Sequence, residues 1–369
     1  MTLATKSTEG AKMKPDLLAT KTRETQKEAE DKSHLIALLS PFSCFCVFCA
    51  FCGLKLRLGI SEALVSISGS LMSLSGKRLV IFGCGYVGSA VAQAALAAGA
   101  RVEALTRNPE KAAALRAAGL TKVVVADLAT MDWHAQLEGG PDFVVNTVSS
   151  GGPDQYWSSY VVGMQSILTW AATASQPVGT LVYTSSTSVY PQGGGAVVDE
   201  TAEAPGATPN GATIRQSEVL LEHAAASVVA RSFILRLAGI YGPGRHHLLD
   251  QLREGAATLN GSGSHRLNLA HRDDIVAAIL ASLEAPTAVG REIFNVADTA
   301  PAPRAEVVAW LAQQLGRPVP AFDGTTTTRR GGAPMSDRII SSTKIQRMLG
   351  WQPRYTDYRA GFGAILKPA

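Results

Sequence analysis

The sequence has little that would indicate a disulfide-stabilised, nucleic-acid-binding or repetitive protein. Only five of its 369 residues are cysteines and none follows Cys84, so the folded part has no disulfide framework. The net charge is only +4, and lysine and arginine are scattered rather than clustered, which argues against a nucleic-acid partner. No repeat of fixed period is present. Hydrophobic residues make up 46% of the chain, which is enough for the core of a folded protein.

The N-terminal part differs in composition from the rest. Residues 1–34 are polar, of mixed charge and free of aromatic residues, and this composition predicts a disordered leader. Residues 35–54 carry no charge, and a run of about twenty such residues is the length of a membrane-spanning helix. Residues 55–75 form a linker, and its Lys55 and Arg57 place the folded part on the cytoplasmic face if the run is an anchor.

Two other interpretations of the apolar run stay open. It is compatible with a cleaved sequence for targeting to an organelle, although the long leader contains acidic residues that such sequences usually lack. It is also compatible with translated sequence upstream of a true start at Met72. Four cysteines at positions 44, 46, 49 and 52 lie in this run, where small apolar side chains, acylation sites and a metal site are the alternatives. The folded part indicates no metal site.

A short apolar strand at residues 78–82 runs into a Gly-x-Gly-x-x-Gly turn, and an alanine-rich helical pattern follows. Gly83 permits the tight turn, Gly85 lets the backbone approach a pyrophosphate, and Gly88 lets the helix pack closely on the strand. Tyr86 and Val87 open the helix, whose N-terminal N–H groups are suited to phosphate. The pattern predicts a dinucleotide-binding turn.

The next two strands bear on which dinucleotide is bound. The second strand ends at Arg107 rather than at an acidic residue, and a guanidinium suits a ribose 2′-phosphate, so we expect NADP, with NAD as the alternative. The third strand ends at Asp127 and Leu128, where a carboxylate is suited to the adenine amino group. A solvent-exposed arginine and a surface aspartate at these positions are the competing interpretations.

Strand patterns continue near residues 142–148, 179–184 and 232–237, alternating with helical stretches. The alternation predicts an α/β fold with a doubly wound parallel sheet, the Rossmann arrangement. Thr147 and Val148 end the fourth strand and Thr184 ends the fifth. We expect these residues beside the cofactor because ligands bind at the carboxyl edge of such sheets.

Several ordered motifs in residues 76–369 resemble the extended short-chain dehydrogenase/reductases, which include sugar-nucleotide epimerases and dehydratases. The segment Ser185-Ser186-Thr187-Ser188-Val189-Tyr190 matches a strand-end motif in which Ser186 falls at the catalytic hydroxyl. Residues 235–244 resemble a Tyr-Gly-Pro signature, which implies that Leu237, Gly239 and Tyr241 lie near the nicotinamide. Residues 268–275 and 293–297 match two later motifs. The resemblance implies a smaller C-terminal substrate lobe at about residues 240–271 and 286–369.

The catalytic Tyr-x-x-x-Lys pair of that superfamily is absent, as in one atypical branch that the chain resembles. Asn210 stands at the tyrosine position and Ile214 at the lysine position. Asparagine is no substitute for a phenol as a proton donor, and isoleucine supplies no charge to stabilise a phenolate. Two functions therefore compete. One is an NADP-dependent oxidoreductase or epimerase/dehydratase with Ser186, helped by Tyr190 or Tyr241, as the proton donor. The other is a catalytically inactive NADP sensor or scaffold.

The expected substrate is a sugar nucleotide or another small carbonyl or hydroxyl compound. Basic and aromatic residues are candidates to line its pocket, namely Arg236, Tyr241, Arg245, His246, His247, His265, Arg266 and His271. Residues 325–332 are a candidate lid, and helices at 153–174 and 213–226 are candidates for a homodimer interface. Sugar-nucleotide dehydrogenases also contain a Gly-Tyr-Val-Gly turn, but they use a catalytic cysteine, which no residue after Cys84 supplies.

Overall fold

One parallel sheet organises the residues that this computed structural model describes, 73–325 and 336–367. Its seven strands are β1 (Arg78–Phe82), β2 (Arg101–Thr106), β3 (Lys122–Val125), β4 (Phe143–Asn146), β5 (Val178–Ser186), β7 (Val229–Leu237) and β12 (Arg291–Val296). They lie in the order β3-β2-β1-β4-β5-β7-β12, and every neighbouring pair is parallel. The order reverses between β1 and β4, which confirms the predicted doubly wound fold and puts the ligand crevice at that point.

Helices cover both faces of the sheet. The helices are α1 (Tyr86–Ala97), α2 (Pro109–Ala117), α3 (Gly163–Ala172), α4 (Pro209–Glu222), α5 (His247–Arg253), α6 (Arg272–Leu283), α7 (Arg304–Gln314), α8 (Thr343–Leu349) and α9 (Tyr358–Leu366). In β1, Leu79 and Ile81 join the hydrophobic cluster under α1 and α6, whereas Val80 and Phe82 join the cluster under α3. Alternate residues of a strand point to opposite faces, so a strand buried on both faces is hydrophobic throughout.

A third hydrophobic cluster forms a smaller lobe from later parts of the chain. It gathers side chains of α5, α7 and α9 around Leu249, Val308 and Phe362. Short strand pairs complete the fold, namely β8 (Gly239–Tyr241) with β11 (Leu269–His271), β9 (Thr258–Leu259) with β14 (Ala321–Phe322), β10 (Arg266–Leu267) with β13 (Ala302–Pro303), and β6 (Ala196–Val198) with β15 (Arg338–Ile340). Most of these elements come from the residues predicted to form a smaller C-terminal lobe, whose bounds stay a prediction.

Several predictions fall on residues outside the described ranges. These are the leader, the apolar run at 35–54 with its cysteines, and all but the first residue of the candidate lid. Among the described helices, none has the length and apolar character needed to cross a membrane. The helix predicted over 153–174 is divided into a 3-10 turn (Pro153–Gln155), a π-helical stretch (Ser158–Val162) and α3. The homodimer interface stays a prediction.

A buried ion pair ties α4 to the sheet. Glu218 of α4 and Arg236 of β7 are both almost fully buried, and the guanidinium donates to both carboxylate oxygens at 3.0 and 2.7 Å. Ser185 of β5 donates to the same carboxylate at 2.5 Å. Burial opposes the charge of Arg236, but the hydrogen bonds with Glu218 outweigh it and raise the pKa of Arg236. The pair therefore fixes α4 against the end of β5.

Replacing Glu218 with glutamine should destabilise the fold strongly. The change leaves the buried Arg236 without its counterion, and removing one partner of a buried pair costs about 3–5 kcal/mol. Urea unfolding followed by circular dichroism measures the free energy. The control is Glu222→Gln on the same helix, because Glu222 pairs with the partly exposed Arg215 and its loss should cost about 1 kcal/mol or less. Equal losses in the two variants would contradict the role of Glu218.

Candidate functional site

The glycine turn between β1 and α1 is built by the absence of side chains. Gly83 has φ of 89°, and a Cβ there would lie 2.6 Å from the backbone nitrogen of Val148 at the end of β4. A Cβ on Gly88 would lie 2.5 Å from Oγ1 of Thr147, whose hydroxyl donates to the carbonyl of Gly83 at 2.7 Å. Neither glycine therefore tolerates a side chain without local movement.

Gly85 has a different role, because a Cβ there would have no neighbour closer than 4.0 Å. Its backbone faces open space at the N-terminus of α1, where no side chain caps the helix and no acidic residue lies in the first turn. The free N–H groups and the helix dipole favour an anion at this position. The turn therefore fits a pyrophosphate.

Two cavities meet at this turn along the carboxyl edge of the sheet. The smaller cavity, of about 280 Å³, lies toward β2 and β3. The predicted cofactor residues on its wall are Gly83, Gly85, Arg107, Asp127, Leu128, Thr147 and Val148. Arg107 and Asp127 face each other with Nη1 and Oδ2 3.8 Å apart, and both side chains are about half exposed. Lys111 of α2 also lines this cavity.

The larger cavity, of about 760 Å³, lies toward β5 and β7. Its wall includes the predicted residues Tyr86, Val87, Thr184, Ser186 and Leu237, together with Gly85, Thr147 and Val148 shared with the smaller cavity. Hydroxyl side chains dominate the lining. Among the described lining residues, Arg245 alone carries a formal charge.

Ser186 lies at the end of β5 inside the larger cavity, and Asn210 and Ile214 of α4 lie on the same wall. Its Oγ accepts a hydrogen bond from the backbone N–H of Ser188 at 3.1 Å, which leaves the hydroxyl proton available to a ligand. Two phenols from the segment preceding α3, Tyr156 and Tyr160, line the same cavity with ring centroids 5.3 Å apart. The cavity therefore has several hydroxyl donors beside Ser186.

Two tyrosines that the sequence suggested as helpers of Ser186 lie outside both cavities. Tyr190 is buried, receives a hydrogen bond from Arg236 and donates to Asn295. The ring of Tyr241 packs in the third cluster against Phe362, and its hydroxyl has no hydrogen-bond partner among the described residues. A motif places a residue near a site but does not decide which way its side chain points. The structure does not bring Tyr241 or Tyr190 to Ser186.

The remaining residues predicted for the cofactor site and the substrate pocket lie in different parts of the structure. Gly88 lies under the turn, and Gly239 lines a separate pocket of about 270 Å³ together with Ser186 and Arg266. Arg266 is paired with Asp337 at 2.8 Å, and His246 with Asp250 at 2.7 Å. His247 is exposed on α5 and His265 is buried. His271 caps α6 by accepting from the N–H of Asp273 and is not among the residues that line the two cavities.

Tyr156, Tyr160 and Lys111 line the cavities but are not among the predicted site residues. Tyr156 and Tyr160 are four residues apart, a spacing that puts side chains on one helix face, and this could have marked them as a pair. Lys111 lies in the first turn of α2, four residues after Arg107. Lys111 reaches the smaller cavity from α2, and Tyr160 reaches the larger cavity from the π-helical stretch. The sequence does not specify how these two elements pack against the sheet.

Residues 79–297 match the NAD dependent epimerase/dehydratase family. The chain belongs to this family. The protein YeeZ of Escherichia coli (strain K12) is 28% identical over 288 residues, which cover 76% of this chain and 97% of YeeZ. A 3-diazoavenalumate denitrifying reductase of a Streptomyces species is 27% identical over 78% of this chain and 99% of its own length.

Among solved structures of the same fold is the UDP-glucuronic acid 4-epimerase of Bacillus cereus in complex with UDP-glucuronic acid and NAD. It superposes with a TM-score of 0.65 at 20% identity, covering 78% of this chain and 98% of the epimerase. An identity this low supports the fold alone. The doubly wound fold and the epimerase/dehydratase family are thus consistent with each other.

A buried carboxyl, that of Asp298, lies two residues beyond the end of β12. Asp298 is 4% exposed, and its Oδ1 has no hydrogen-bond partner among the described residues. Burial raises the pKa of Asp298 to about 8. The hydrogen bond with the backbone of Leu269 lowers this pKa, and the nearby carboxylate of Asp357 raises it. An unfolded aspartate ionises near pH 4, so between about pH 4 and 8 the folded state binds more protons than the unfolded state. This group therefore makes the fold less stable as the pH rises.

Asp298→Asn should flatten this pH dependence. The variant cannot ionise, so its free energy of unfolding relative to wild type should increase from pH 5 to pH 8, by at most about 1.4 kcal/mol for each pH unit. Urea titrations of both proteins at the two pH values measure the difference. Asp154→Asn, an exposed carboxylate, is the control and should show no such change. A difference that is the same at both pH values would contradict the raised pKa of Asp298.

Proposed function

We propose that this chain is an oxidoreductase that uses a nicotinamide dinucleotide and acts on a small substrate in the larger cavity. The observation that carries the proposal is the glycine turn, whose missing Cβ atoms at Gly83 and Gly88 and open backbone at Gly85 fit a pyrophosphate. The adenosine half then lies in the smaller cavity and the nicotinamide half in the larger one. A bound dinucleotide supplies a hydride donor or acceptor.

NADP is the cofactor we favour. Arg107 and Lys111 line the smaller cavity at the end of β2, where the 2′-position of an adenosine ribose is bound in such folds. Asp127 faces Arg107, but the 3.8 Å separation of two half-exposed groups indicates a weak pair that a phosphate can replace. A guanidinium binds phosphate through two parallel hydrogen bonds, which adds to the preference.

The substrate class is a sugar nucleotide or another small carbonyl or hydroxyl compound. The larger cavity has room for a ligand beside the nicotinamide, and its hydroxyls suit a polar substrate. The Bacillus cereus epimerase binds a uridine diphosphate sugar with NAD, which supports the class by fold alone. The relative from Streptomyces is named a reductase, which supports hydride transfer to a different kind of substrate.

Proton transfer in this cavity depends on neutral hydroxyls. Ser186 is the candidate carried over from the motif, and Tyr160 is a phenol in the same cavity. Ile214 supplies no charge that would stabilise a phenolate, so a phenol here is a better proton donor than a base. We therefore favour the direction in which a carbonyl is reduced over the direction in which an alcohol is oxidised.

The second candidate function is a dinucleotide sensor or scaffold without turnover. Asn210 and Ile214 at the catalytic positions favour it, because the usual tyrosine and lysine are absent while the glycine turn is intact. A sensor needs the cofactor site but no proton donor. The two functions therefore differ in turnover rather than in cofactor binding.

Arg107→Ala should weaken NADPH binding about 10-fold or more and change NADH binding little, because only NADPH carries the 2′-phosphate. Titration of the full-length chain with each reduced dinucleotide, followed by nucleotide fluorescence, gives the two dissociation constants. Arg116→Ala is the matched control, since Arg116 lies on α2 away from the cavity wall and bonds the carbonyl of Val123. Equal weakening of both dinucleotides would remove the NADP preference.

Turnover separates the enzyme from the sensor. The wild-type chain should oxidise NADPH with at least one member of a panel of aldehydes, ketones and oxidised sugar nucleotides, and Ser186→Ala or Tyr160→Phe should lower kcat about 10²–10⁴-fold. Tyr241→Phe is the control, because Tyr241 lies outside both cavities and its hydroxyl has no hydrogen-bond partner among the described residues. Rates at the no-enzyme level across the panel, with NADPH binding intact, would leave the sensor as the function.

A further inference from the structure

A turn of the smaller lobe is built directly on the glycine turn. Gly242 and Arg245 exchange two backbone hydrogen bonds, at 3.1 and 3.0 Å, so the four residues 242–245 form a closed turn. Tyr86, the first residue of α1, donates its hydroxyl to the carbonyl of Pro243 at 3.0 Å. Gly242 has φ of 144°, and a Cβ there would lie 2.8 Å from that hydroxyl. The close approach therefore requires glycine, and it holds Arg245 beside the N-terminus of α1.

Two guanidinium groups lie near the ring of Tyr86, and they differ in their ion pairing. Arg272 is 5.4 Å from the ring centroid and forms an ion pair with Asp273 at 2.9 Å. Arg245 is 5.6 Å from the same centroid, and no ion pair of Arg245 is present in the described part of the chain. The nearest acidic residue along the chain, Asp250, is paired with His246. Arg245 is exposed and thus brings a positive charge without an ion-pair partner among the described residues to the wall of the larger cavity.

We propose that Arg245 binds the pyrophosphate of the dinucleotide from the side of the smaller lobe. The inference rests on the proposed cofactor. A pyrophosphate brings two negative charges to the glycine turn, and the turn itself offers only N–H groups and the helix dipole. A guanidinium seated on the ring of the first helical residue completes the site with a charge-assisted, bidentate contact. The smaller lobe then contributes to cofactor binding as well as to the substrate pocket.

The position of Arg245 favours the cofactor over a substrate anion. Tyr86 is adjacent to Gly85, the glycine that opens the backbone to phosphate, and Arg245 lines the same cavity as both residues. Ser186 and Asn210, which mark the reacting end of the cavity, belong to β5 and α4 rather than to the glycine turn. An anion on the substrate is the competing ligand, and the experiment distinguishes the two.

The test is Arg245→Gln in the full-length chain, with binding of NADPH, NADH, ADP-ribose and adenosine at low ionic strength as the readout. NADPH, NADH and ADP-ribose all contain the pyrophosphate, so each should bind about 10- to 100-fold more weakly, whereas adenosine binding should not change. This differs from Arg107→Ala, which affects only NADPH. Arg245→Lys keeps the charge without the bidentate geometry and should recover part of the loss.

Arg253→Gln is the matched control, because Arg253 is an exposed arginine of the same lobe on α5. It should leave all four dissociation constants unchanged, and thermal melting should show that each variant is folded. Binding of ADP-ribose by Arg245→Gln within twofold of wild type would overturn the inference while the proposed cofactor stands. Absence of dinucleotide binding by the wild-type chain would overturn both.

Discussion

The structure depends on the contact between the glycine turn and the end of β4. Gly83 and Gly88 let two backbone segments approach within distances that no Cβ would permit, and Thr147 fastens them with a hydrogen bond to the carbonyl of Gly83. This contact lies where the strand order of the sheet reverses. The crevice therefore opens between β1 and β4. Both cavities lie along it and share the wall formed by Gly85, Thr147 and Val148.

The second constraint is the buried charge that anchors α4. Glu218 links this helix to Arg236 of β7 and to Ser185 of β5, and the network continues through Tyr190 to Asn295. Desolvation makes each member costly on its own, so the group is stable only when complete. This network holds α4 in place against β5 and β7.

The sequence predicts the sheet and the turn well because both are local patterns. Apolar runs mark β1, β4 and β5, and three glycines at fixed spacing mark the turn, so the amino-acid order alone identifies Gly83, Gly85 and Gly88. Side-chain direction is less predictable. Tyr241 follows a motif close to the cavities, but its ring turns into the third cluster because Gly361 leaves room there. Tyr160 enters the larger cavity from a π-helical stretch that propensities do not indicate.

The distribution of charge suggests how recognition and chemistry are separated in this cleft. Arg107 and Lys111 lie at the outer end of the smaller cavity, and Arg245 lies beside the turn where the two cavities meet. Hydroxyl side chains dominate the wall of the larger cavity on which Ser186 lies. Fixed charges attract an anionic cofactor over some distance, whereas neutral donors act only in contact. The residues proposed to bind the cofactor are therefore distinct from those proposed to transfer a proton, so cofactor binding and turnover are separate properties of the proposed site.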